Sequence, residues 1–311
     1  MKIIKWMPVI GIALLAYILF KIGIKNLVAA FAGANYFYVF LMFLTFPPLL
    51  MLQAYKWDIL LKRQKINFSF MHLLGLQTIS IFYEFVTPAR IGSFIKIAYL
   101  QEKIHNLGKS ASSVVIDRAL DFLVVAFLAF LGSLSLLGGK LNIFYVCIGI
   151  FLLFLLGFIV LMNKRIMRFF AGIFYKLLLP KKFKRGAKKS FKDFYRNMPP
   201  AGIILALFAI TAVFWILVYS QAYLSALAFH VNVPYSKFIV IFPISVIISL
   251  VPISISGLGT REAVLLNLLG SIAEKQNIVA FSLFWSVSSL VVYSILGLWL
   301  IFKKGFNIGK K

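Results

Sequence analysis

The sequence predicts an all-α polytopic integral membrane protein with six full spans and two re-entrant helical hairpins, arranged as an inverted repeat. Three observations lead to this fold class: a very apolar composition, an uneven basic charge, and two apolar stretches that proline and glycine interrupt. Of the 311 residues, 62% are hydrophobic, and the mean hydropathy is +0.98. Only 13% are charged, against about 25% in a typical soluble domain. The chain has too few polar residues to cover a soluble fold, and its apolarity excludes disorder.

Six apolar stretches are long enough to cross a bilayer as helices, which requires about 20 residues each. The first could be a signal peptide, because Ala30-Phe31-Ala32 resembles a cleavage site. However, Lys21 and Lys25 separate that site from the apolar run, which favours a retained span. The six predicted spans are 6–23, 36–55, 112–137, 143–162, 201–229 and 278–302.

The basic charge determines the predicted topology. The chain carries 33 Lys and Arg against 8 Asp and Glu, a net charge of +25, and basic residues in short loops mark the cytoplasmic side. The segment 163–198 holds 12 basic residues and one acid, Asp193. The segment 56–67 and both chain ends are basic as well. We therefore expect a plasma-membrane protein in which all four regions lie on the cytoplasmic side.

Two ambiguous stretches, 68–101 and 236–270, decide whether this arrangement is possible. If both crossed the membrane fully, the eight spans would put segment 163–198 outside, against its charge. If each stretch instead enters and returns on the same side, all four basic regions lie inside together. We therefore predict that 68–101 is a hairpin entering from the cytoplasm and that 236–270 is a hairpin entering from outside.

This topology divides the chain into two similar halves, 1–140 and 141–311. Each half has two spans, a hairpin and a third span, and three crossings per half give the halves opposite orientations. Short sequence echoes support the repeat: Gln53-Ala54-Tyr55 recurs as Gln221-Ala222-Tyr223. Such short matches also arise from membrane composition alone, so that interpretation stays open. Inverted repeats with broken helices are typical of transporters, whose binding sites lie near the bilayer midplane.

The hairpin breaks have the residues that begin short helices. In the first break, Thr87 suits an N-cap and Pro88 the first helical position, before Arg90 and Gly92. Helix N-termini attract anions, so one basic residue near each helix start suggests a binding site for an anionic group. Ordinary loops with arginines in the lipid headgroup layer are the alternative. The second break contains Pro252, Gly257, Gly259, a helix start near Thr260, Arg261 and Glu262.

Several charged residues fall inside apolar stretches, where each costs roughly 2.5–3.5 kcal/mol on insertion scales. Asp117, Arg118 and Asp121 lie in the third span, and their spacing puts Asp117 and Asp121 on one helix face. The acids have Lys96 or Arg90 as candidate partners, and Glu84 precedes the first break. Two interpretations stay open: ion pairs that anchor the hairpins, or direct contact with a substrate. Proton coupling through Glu84, Asp117 or Asp121 is a third.

Other functional classes find little support. A nucleic-acid-binding protein needs a soluble scaffold for its basic face. The single cysteine, Cys147, rules out a Cys-based zinc site, and the histidines lack metal-ligand spacing, so we expect no metal and no cofactor. The aromatic and aliphatic residues within 163–198 make it a basic amphipathic segment suited to a membrane surface. It serves as a topological anchor or as a patch that gathers anionic lipid.

Three segments together resemble the lysylphosphatidylglycerol synthase/flippase transmembrane family. They are Thr87-Pro88-Ala89-Arg90-Ile91-Gly92, the run Val115 to Asp121, and Pro252-Ile253-Ser254 continuing through Gly257-Leu258-Gly259-Thr260-Arg261-Glu262. The resemblance implies movement of a lipid with a polar headgroup between leaflets, either a phospholipid or a polyprenyl-phosphate-linked lipid. Trp285 departs from the family pattern, in which relatives often have a basic residue there.

The expected function is therefore a lipid flippase or transporter and not an enzyme. The chain ends nine residues after Phe302, so we expect no soluble synthase domain and no aminoacyl transfer. Two alternatives stay open: a membrane partner of a glycosyltransferase or lipid synthase, and an intramembrane transferase. The expected partners are membrane lipids, anionic or phosphate-containing. The expected substrate-binding residues are Thr87, Arg90, Lys96, Gly257, Gly259, Arg261 and Glu262.

Overall fold

The computed structural model describes residues 17, 19–21, 23–136, 141–177, 181–249 and 257–302. All regular secondary structure in these ranges is helical. A 3₁₀ helix, Pro88–Phe94, follows the fourth α-helix. In chain order the α-helices are α1 (Ile24–Ala32), α2 (Tyr36–Leu44), α3 (Phe46–Arg63), α4 (Phe70–Val86), α5 (Ile95–Ile104), α6 (Leu107–Leu134), α7 (Leu141–Met162), α8 (Lys164–Leu177), α9 (Lys181–Arg196), α10 (Ala201–Ala228), α11 (Tyr235–Ser249), α12 (Thr260–Leu269) and α13 (Lys275–Phe302).

Four helical segments in the described part of the chain are long and apolar enough to cross a membrane. They are α2 with α3, taken as Tyr36–Arg63, and the helices α7, α10 and α13. Helix α6 has 28 residues but carries Asp117, Arg118 and Asp121, and α11 is apolar but only 15 residues long. These helices are those of a multi-pass helical membrane protein. Most of the predicted span 6–23, and Pro252 in the second break, lie outside the described residues.

The helix bounds agree with most predicted spans and correct one predicted loop. Helices α7, α10 and α13 match the predicted spans within a few residues. Helix α3, however, continues through Arg63, so the prediction of a basic loop over 56–67 is wrong for residues 56–63. Lys56 is 1% exposed and Asp58 is 5% exposed in this helix. A lysine tolerates this burial because α6 supplies carboxylates to pair with it.

The two interrupted stretches fold into pairs of short helices that pack against each other. In the first, α4 contacts both the 3₁₀ helix and α5, and in the second, α11 contacts α12. Gly92 allows the first close approach, because a Cβ there would lie 2.0 Å from the carbonyl oxygen of Tyr83. Gly257 has a φ of +79°, and a Cβ there would lie 2.6 Å from the Cβ of Ser249. Both breaks therefore need glycine where the second leg begins.

The third helix of each predicted half packs against the first hairpin leg of the other half. Helix α6 lies against α11, and α13 lies against α4. A glycine makes each contact close: a Cβ on Gly132 would lie 2.0 Å from the carbonyl oxygen of Val240, and one on Gly297 would lie 2.7 Å from the Cβ of Phe82. Each third helix also contacts the second leg of its own hairpin, α5 or α12. These contacts interlock the two parts of the chain around a common centre.

The basic segment 163–198 is mostly helical and not an irregular loop. It forms α8 and α9, and α9 packs against the first turns of α6. Asn106 Nδ2 donates to Asp193 Oδ2 at 3.1 Å, so the one acid of the segment fastens it to the bundle. The hydroxyl of Tyr195 donates to the carbonyl oxygen of Leu161 at 2.8 Å. The amphipathic sequence explains the helices, because the apolar face of α9 packs on α6 and the basic face stays exposed.

Candidate functional site

A buried ion cluster lies where α3 and both legs of the first hairpin meet α6. Lys56 Nζ lies 2.9 Å from Asp117 Oδ1 and 2.6 Å from Asp121 Oδ1. The two carboxylates are one helical turn apart, as their spacing predicts, and both face the bundle interior with at most 3% exposure. Lys56 therefore ties α3 to α6 across a sequence separation of 65 residues.

Lys96 enters the same cluster from the second hairpin leg, α5. Its ammonium group lies 2.9 Å from Asp117 Oδ2 and 3.1 Å from Gln77 Oε1 on α4. It also lies 4.4 Å from the ring centroid of Trp57, which gives a cation–π contact. Lys96 is fully buried. Its contacts join both hairpin legs to α6, which is the anchoring role that the sequence offered as one interpretation.

Arg118 completes the cluster and connects it to α4. Its guanidinium pairs with Glu84 Oε1 and lies 2.8 Å from Asp121 Oδ2 and 3.2 Å from Asp117 Oδ2. Three cations thus face three carboxylates within this group of described residues, so their formal charges balance. A removed partner would leave an uncompensated buried charge, which is strongly destabilising. The cluster therefore holds the first hairpin in place.

A second, smaller polar cluster surrounds the start of α12. Arg261 Nε donates to Ser282 Oγ at 2.9 Å, and Nη2 donates to Glu262 Oε1 at 3.0 Å and to Ser286 Oγ. Glu262 Oε2 accepts from the backbone N–H of Gly259 at 2.6 Å. Gly259 has a φ of +85°, and the helix begins at Thr260, as the sequence predicts.

Aromatic and amide groups extend this cluster toward the first half of the chain. The Arg261 guanidinium carbon lies 5.0 Å from the ring centroid of Trp285. The indole N–H of Trp285 donates to Gln221 Oε1 at 3.2 Å, and Gln221 Nε2 donates to Thr45 Oγ1 at 2.7 Å. Trp285 therefore links Arg261 to this chain of amide and hydroxyl groups.

The two clusters meet at one cavity of about 100 Å³. Arg118, Glu84 and Asp121 line it from the first cluster, and Arg261 and Ser286 line it from the second. The remaining wall combines aromatic rings with amide and hydroxyl groups. It is formed by Leu49, Gln53, Ile81, Phe85, Phe214, Trp215, Val218, Gln221, Trp285, Ser289 and Tyr293. This wall offers both hydrogen-bond donors and hydrogen-bond acceptors beside apolar rings. Such a lining suits a polar group carried on an apolar molecule.

The structure separates the predicted site residues into two sets. Arg261 borders the cavity directly. Lys96 and Asp117 lie deeper in the ion cluster, and Glu262 lies behind Arg261 with no exposure. Thr87 Oγ1 donates to the carbonyl oxygen of Tyr83 and accepts from the N–H of Gly92, and Pro88 begins the 3₁₀ helix. The backbone of Arg90 lies in that helix, and its side chain is outside what the structure describes.

Sequence reasoning missed several residues that build the site. The sequence predicts a loop position for Lys56, because it follows a predicted span, and it indicates Gln53 and Gln221 only as part of a short repeat. Both glutamines line the cavity, so their recurrence in Gln-Ala-Tyr was a usable signal. Trp215 and Tyr293 gave no signal, because aromatic residues are frequent in every apolar stretch of this chain. The described residues contain no His, Cys, Asp and Glu group suited to a metal ion.

Comparison with known proteins gives the family. The model described as the lysylphosphatidylglycerol synthase TM region matches residues 7–297. A UPF0104 membrane protein from Methanothermobacter thermautotrophicus is 25% identical over 307 residues, covering 90% of this chain and 87% of the relative. A UPF0104 membrane protein from Pyrococcus horikoshii is 30% identical over 135 residues, 41% of this chain and 40% of the relative. Because the family model spans nearly the whole chain, the protein belongs to the lysylphosphatidylglycerol synthase TM region family.

Proposed function

We propose that this protein is a lipid transporter that moves a phospholipid or a polyprenyl-phosphate-linked lipid between leaflets, and that it is not an enzyme. The observation that carries the proposal is the cavity between Arg118 and Arg261. It brings charged groups from both predicted halves to one place inside a bundle of apolar helices. A polar headgroup fits there while its acyl or prenyl tails stay in the surrounding lipid. The phosphate lies near Arg261, with Arg90 as a further candidate.

The proposed membrane topology has six full spans and two re-entrant hairpins, with both termini in the cytoplasm of a plasma-membrane protein. The reciprocal packing of α6 on α11 and α13 on α4 supports an inverted repeat of 1–140 and 141–311. Single cysteines placed at Glu102 and Ser271, which are both exposed, test this topology. An impermeant maleimide should label Glu102→Cys only from the cytoplasm and Ser271→Cys only from outside. Labelling of both from one side would refute it.

A leaflet-translocation assay in proteoliposomes tests the function. We expect the wild-type protein to move a fluorescent phospholipid between leaflets and Arg261→Ala to reduce the rate by about tenfold or more, because a charge-assisted hydrogen bond contributes about 1.5–3 kcal/mol. Arg165→Ala is the matched control, since Arg165 is exposed on α8. The proposal would be refuted if liposomes with the wild-type protein translocated phospholipids and polyprenyl phosphates no faster than protein-free liposomes. An equal effect of both substitutions would refute the site.

The exposed basic face of α9 favours a second candidate function. Lys188, Lys189, Lys192 and Arg196 are exposed, while the other face of α9 is held on α6. Such a surface suits a scaffold that docks a glycosyltransferase or lipid synthase. Changing these four residues to Gln distinguishes the two functions. A transporter keeps most of its translocation rate in purified liposomes, whereas a scaffold has no such rate and loses its partner.

A further inference from the structure

Several functional residues of the two halves are separated by one constant interval. The pairs lie 165 positions apart: Gly92 and Gly257, Lys96 and Arg261, Asp117 and Ser282, Asp121 and Ser286, and Gly132 and Gly297. The structure gives many of these partners equivalent surroundings. Gly132 and Gly297 each press against the first hairpin leg of the other half, and Gly92 and Gly257 each begin a second leg. The interval therefore identifies positions with the same place in each half.

The equivalent cations have different partners. Lys96 Nζ lies 2.9 Å from the carboxylate of Asp117, 21 residues later. Arg261 Nε lies 2.9 Å from the hydroxyl of Ser282, also 21 residues later. Asp121 forms ion pairs with Lys56 and Arg118. Its counterpart Ser286 accepts a hydrogen bond only from Arg261 among the described residues. The first half thus supplies its own carboxylate oxygens, and the second half has small hydroxyl groups at the same places.

Among the described residues, the carboxylate that pairs with Arg261 is that of Glu262, and it does not line the cavity. Glu262 accepts from the backbone of Gly259 and from Ser282, both at 2.6 Å, and from Arg261 at 3.0 Å. Glu262 is completely buried and is not part of the cavity wall, whereas Arg261 and Ser286 are. On its cavity side, Arg261 therefore has the hydroxyl group of Ser286 as a partner, whereas Lys96 pairs with the carboxylate of Asp117. The shorter serine side chains also leave room for oxygen atoms from another molecule.

Two further donors on the cavity wall lack an acceptor. Arg118 Nε and Trp215 Nε1 are buried and have no hydrogen-bond partner among the described residues. Arg118 is 7% exposed and Trp215 is 8% exposed, and both residues line the cavity. A buried donor without an acceptor costs about 1–3 kcal/mol, so an acceptor-rich group in this cavity would relieve that cost. Phosphate oxygens are such acceptors, and arginine binds them in a fixed geometry.

We infer that Arg261 and Ser286 form an anion subsite that binds the phosphate of the ligand, whose oxygens replace the carboxylates that Asp117 and Asp121 supply in the first half. This inference rests on the proposed function and specifies its binding site. The same chemistry accommodates a lipid phosphodiester or free phosphate. Its counterpart Lys96 is fully buried against Asp117 and does not line the cavity, so it takes no ligand anion.

Restoring the missing carboxylate tests the subsite. Ser286→Asp places a negative charge beside Arg261, and Ser286→Asn is the matched control of the same size without charge. We expect Ser286→Asp to raise the Kd for a short-chain phosphatidylglycerol by about tenfold or more, because it replaces a charge-assisted contact of the ligand. Ser286→Asn should change the Kd far less. Isothermal titration of the detergent-purified full chain measures both, with inorganic phosphate as a second ligand.

The outcomes separate this inference from the proposed function. Equal effects of Asp and Asn, an unchanged Kd in Ser286→Asp, or no binding of either ligand to the wild-type protein would overturn the subsite. Binding of the lipid and not of inorganic phosphate identifies a lipid phosphodiester, and comparable affinities identify free phosphate as the ligand. If the Asp and Asn variants differ as expected but liposomes show no translocation, the subsite stands and the transport proposal fails. If Ser286→Asp does not fold, Arg261→Gln against Arg261→Lys makes the same comparison of charge.

Discussion

At the scale of single residues, Asp117 is the point on which most of the buried charge converges. Lys56 and Lys96 each lie 2.9 Å from its carboxylate, and Arg118 lies 3.2 Å away. The sequence offers Arg90 and Lys96 as candidate partners for this acid, because a charge inside an apolar span is costly, and the structure shows the pair with Lys96. The sequence could not predict Lys56, whose position after an apolar run is also that of a loop lysine. Only the packing of α3 on α6 distinguishes the two environments.

Asp117→Asn should therefore destabilise the protein strongly. The change leaves two buried lysines short of a counter-charge, and breaking a buried pair in this way costs about 3–5 kcal/mol. Asp58→Asn is the matched control, because the lysine that Asp58 contacts, Lys62, is 64% exposed. Solvent screens a pair with one exposed partner, so we expect this substitution to cost less than the loss of Asp117, whose partners are buried. Unfolding of both variants in mixed detergent micelles measures the difference. Equal midpoints would show that the cluster is not a structural anchor.

At the scale of helices, the hairpin breaks were the most predictable elements. Proline and glycine end helices for local reasons, so Pro88 and Thr260 begin helices where the sequence predicts. The start of α3 is equally local, since Thr45 precedes a Pro47-Pro48 pair. The helical structure of segment 163–198 was less visible, because its charge indicated a loop. Its docking depends on Asp193 reaching Asn106, 87 residues away, and such long-range contacts leave no periodic pattern.

The close helix contacts predict a contrast among glycines. Gly132→Ala should destabilise the protein by about 1–3 kcal/mol, the usual cost of overpacking, because its Cβ would meet the carbonyl oxygen of Val240 at 2.0 Å. Gly149→Ala, on α7, meets nothing within 4 Å. It should be neutral or stabilising by up to about 1 kcal/mol, since alanine favours helix more than glycine does. Thermal unfolding in detergent measures both variants. A neutral Gly132→Ala would contradict the close packing of α6 on α11.

At the scale of the whole molecule, the chain brings two unlike polar clusters to one cavity. Charge parity and the repeated Gln-Ala-Tyr predict two matching halves, and that division stays a prediction. The motifs of the two breaks pair Arg90 with Arg261, because each lies near a predicted helix start. The constant interval matches Lys96 with Arg261 instead. This difference matters, because it shows where one half supplies carboxylates and the other supplies hydroxyls. Motif order alone does not reveal it.

Filling the cavity tests most directly the claim that a lipid headgroup passes through it. Ser289 lines the cavity and is 7% exposed, so a phenylalanine there occupies the space between Arg118 and Arg261. Val291, two residues later on the same helix, is 47% exposed and does not line the cavity. In the proteoliposome assay, Ser289→Phe should abolish phospholipid translocation and Val291→Phe should leave it near the wild-type rate. Full translocation by a correctly folded Ser289→Phe protein would contradict the account.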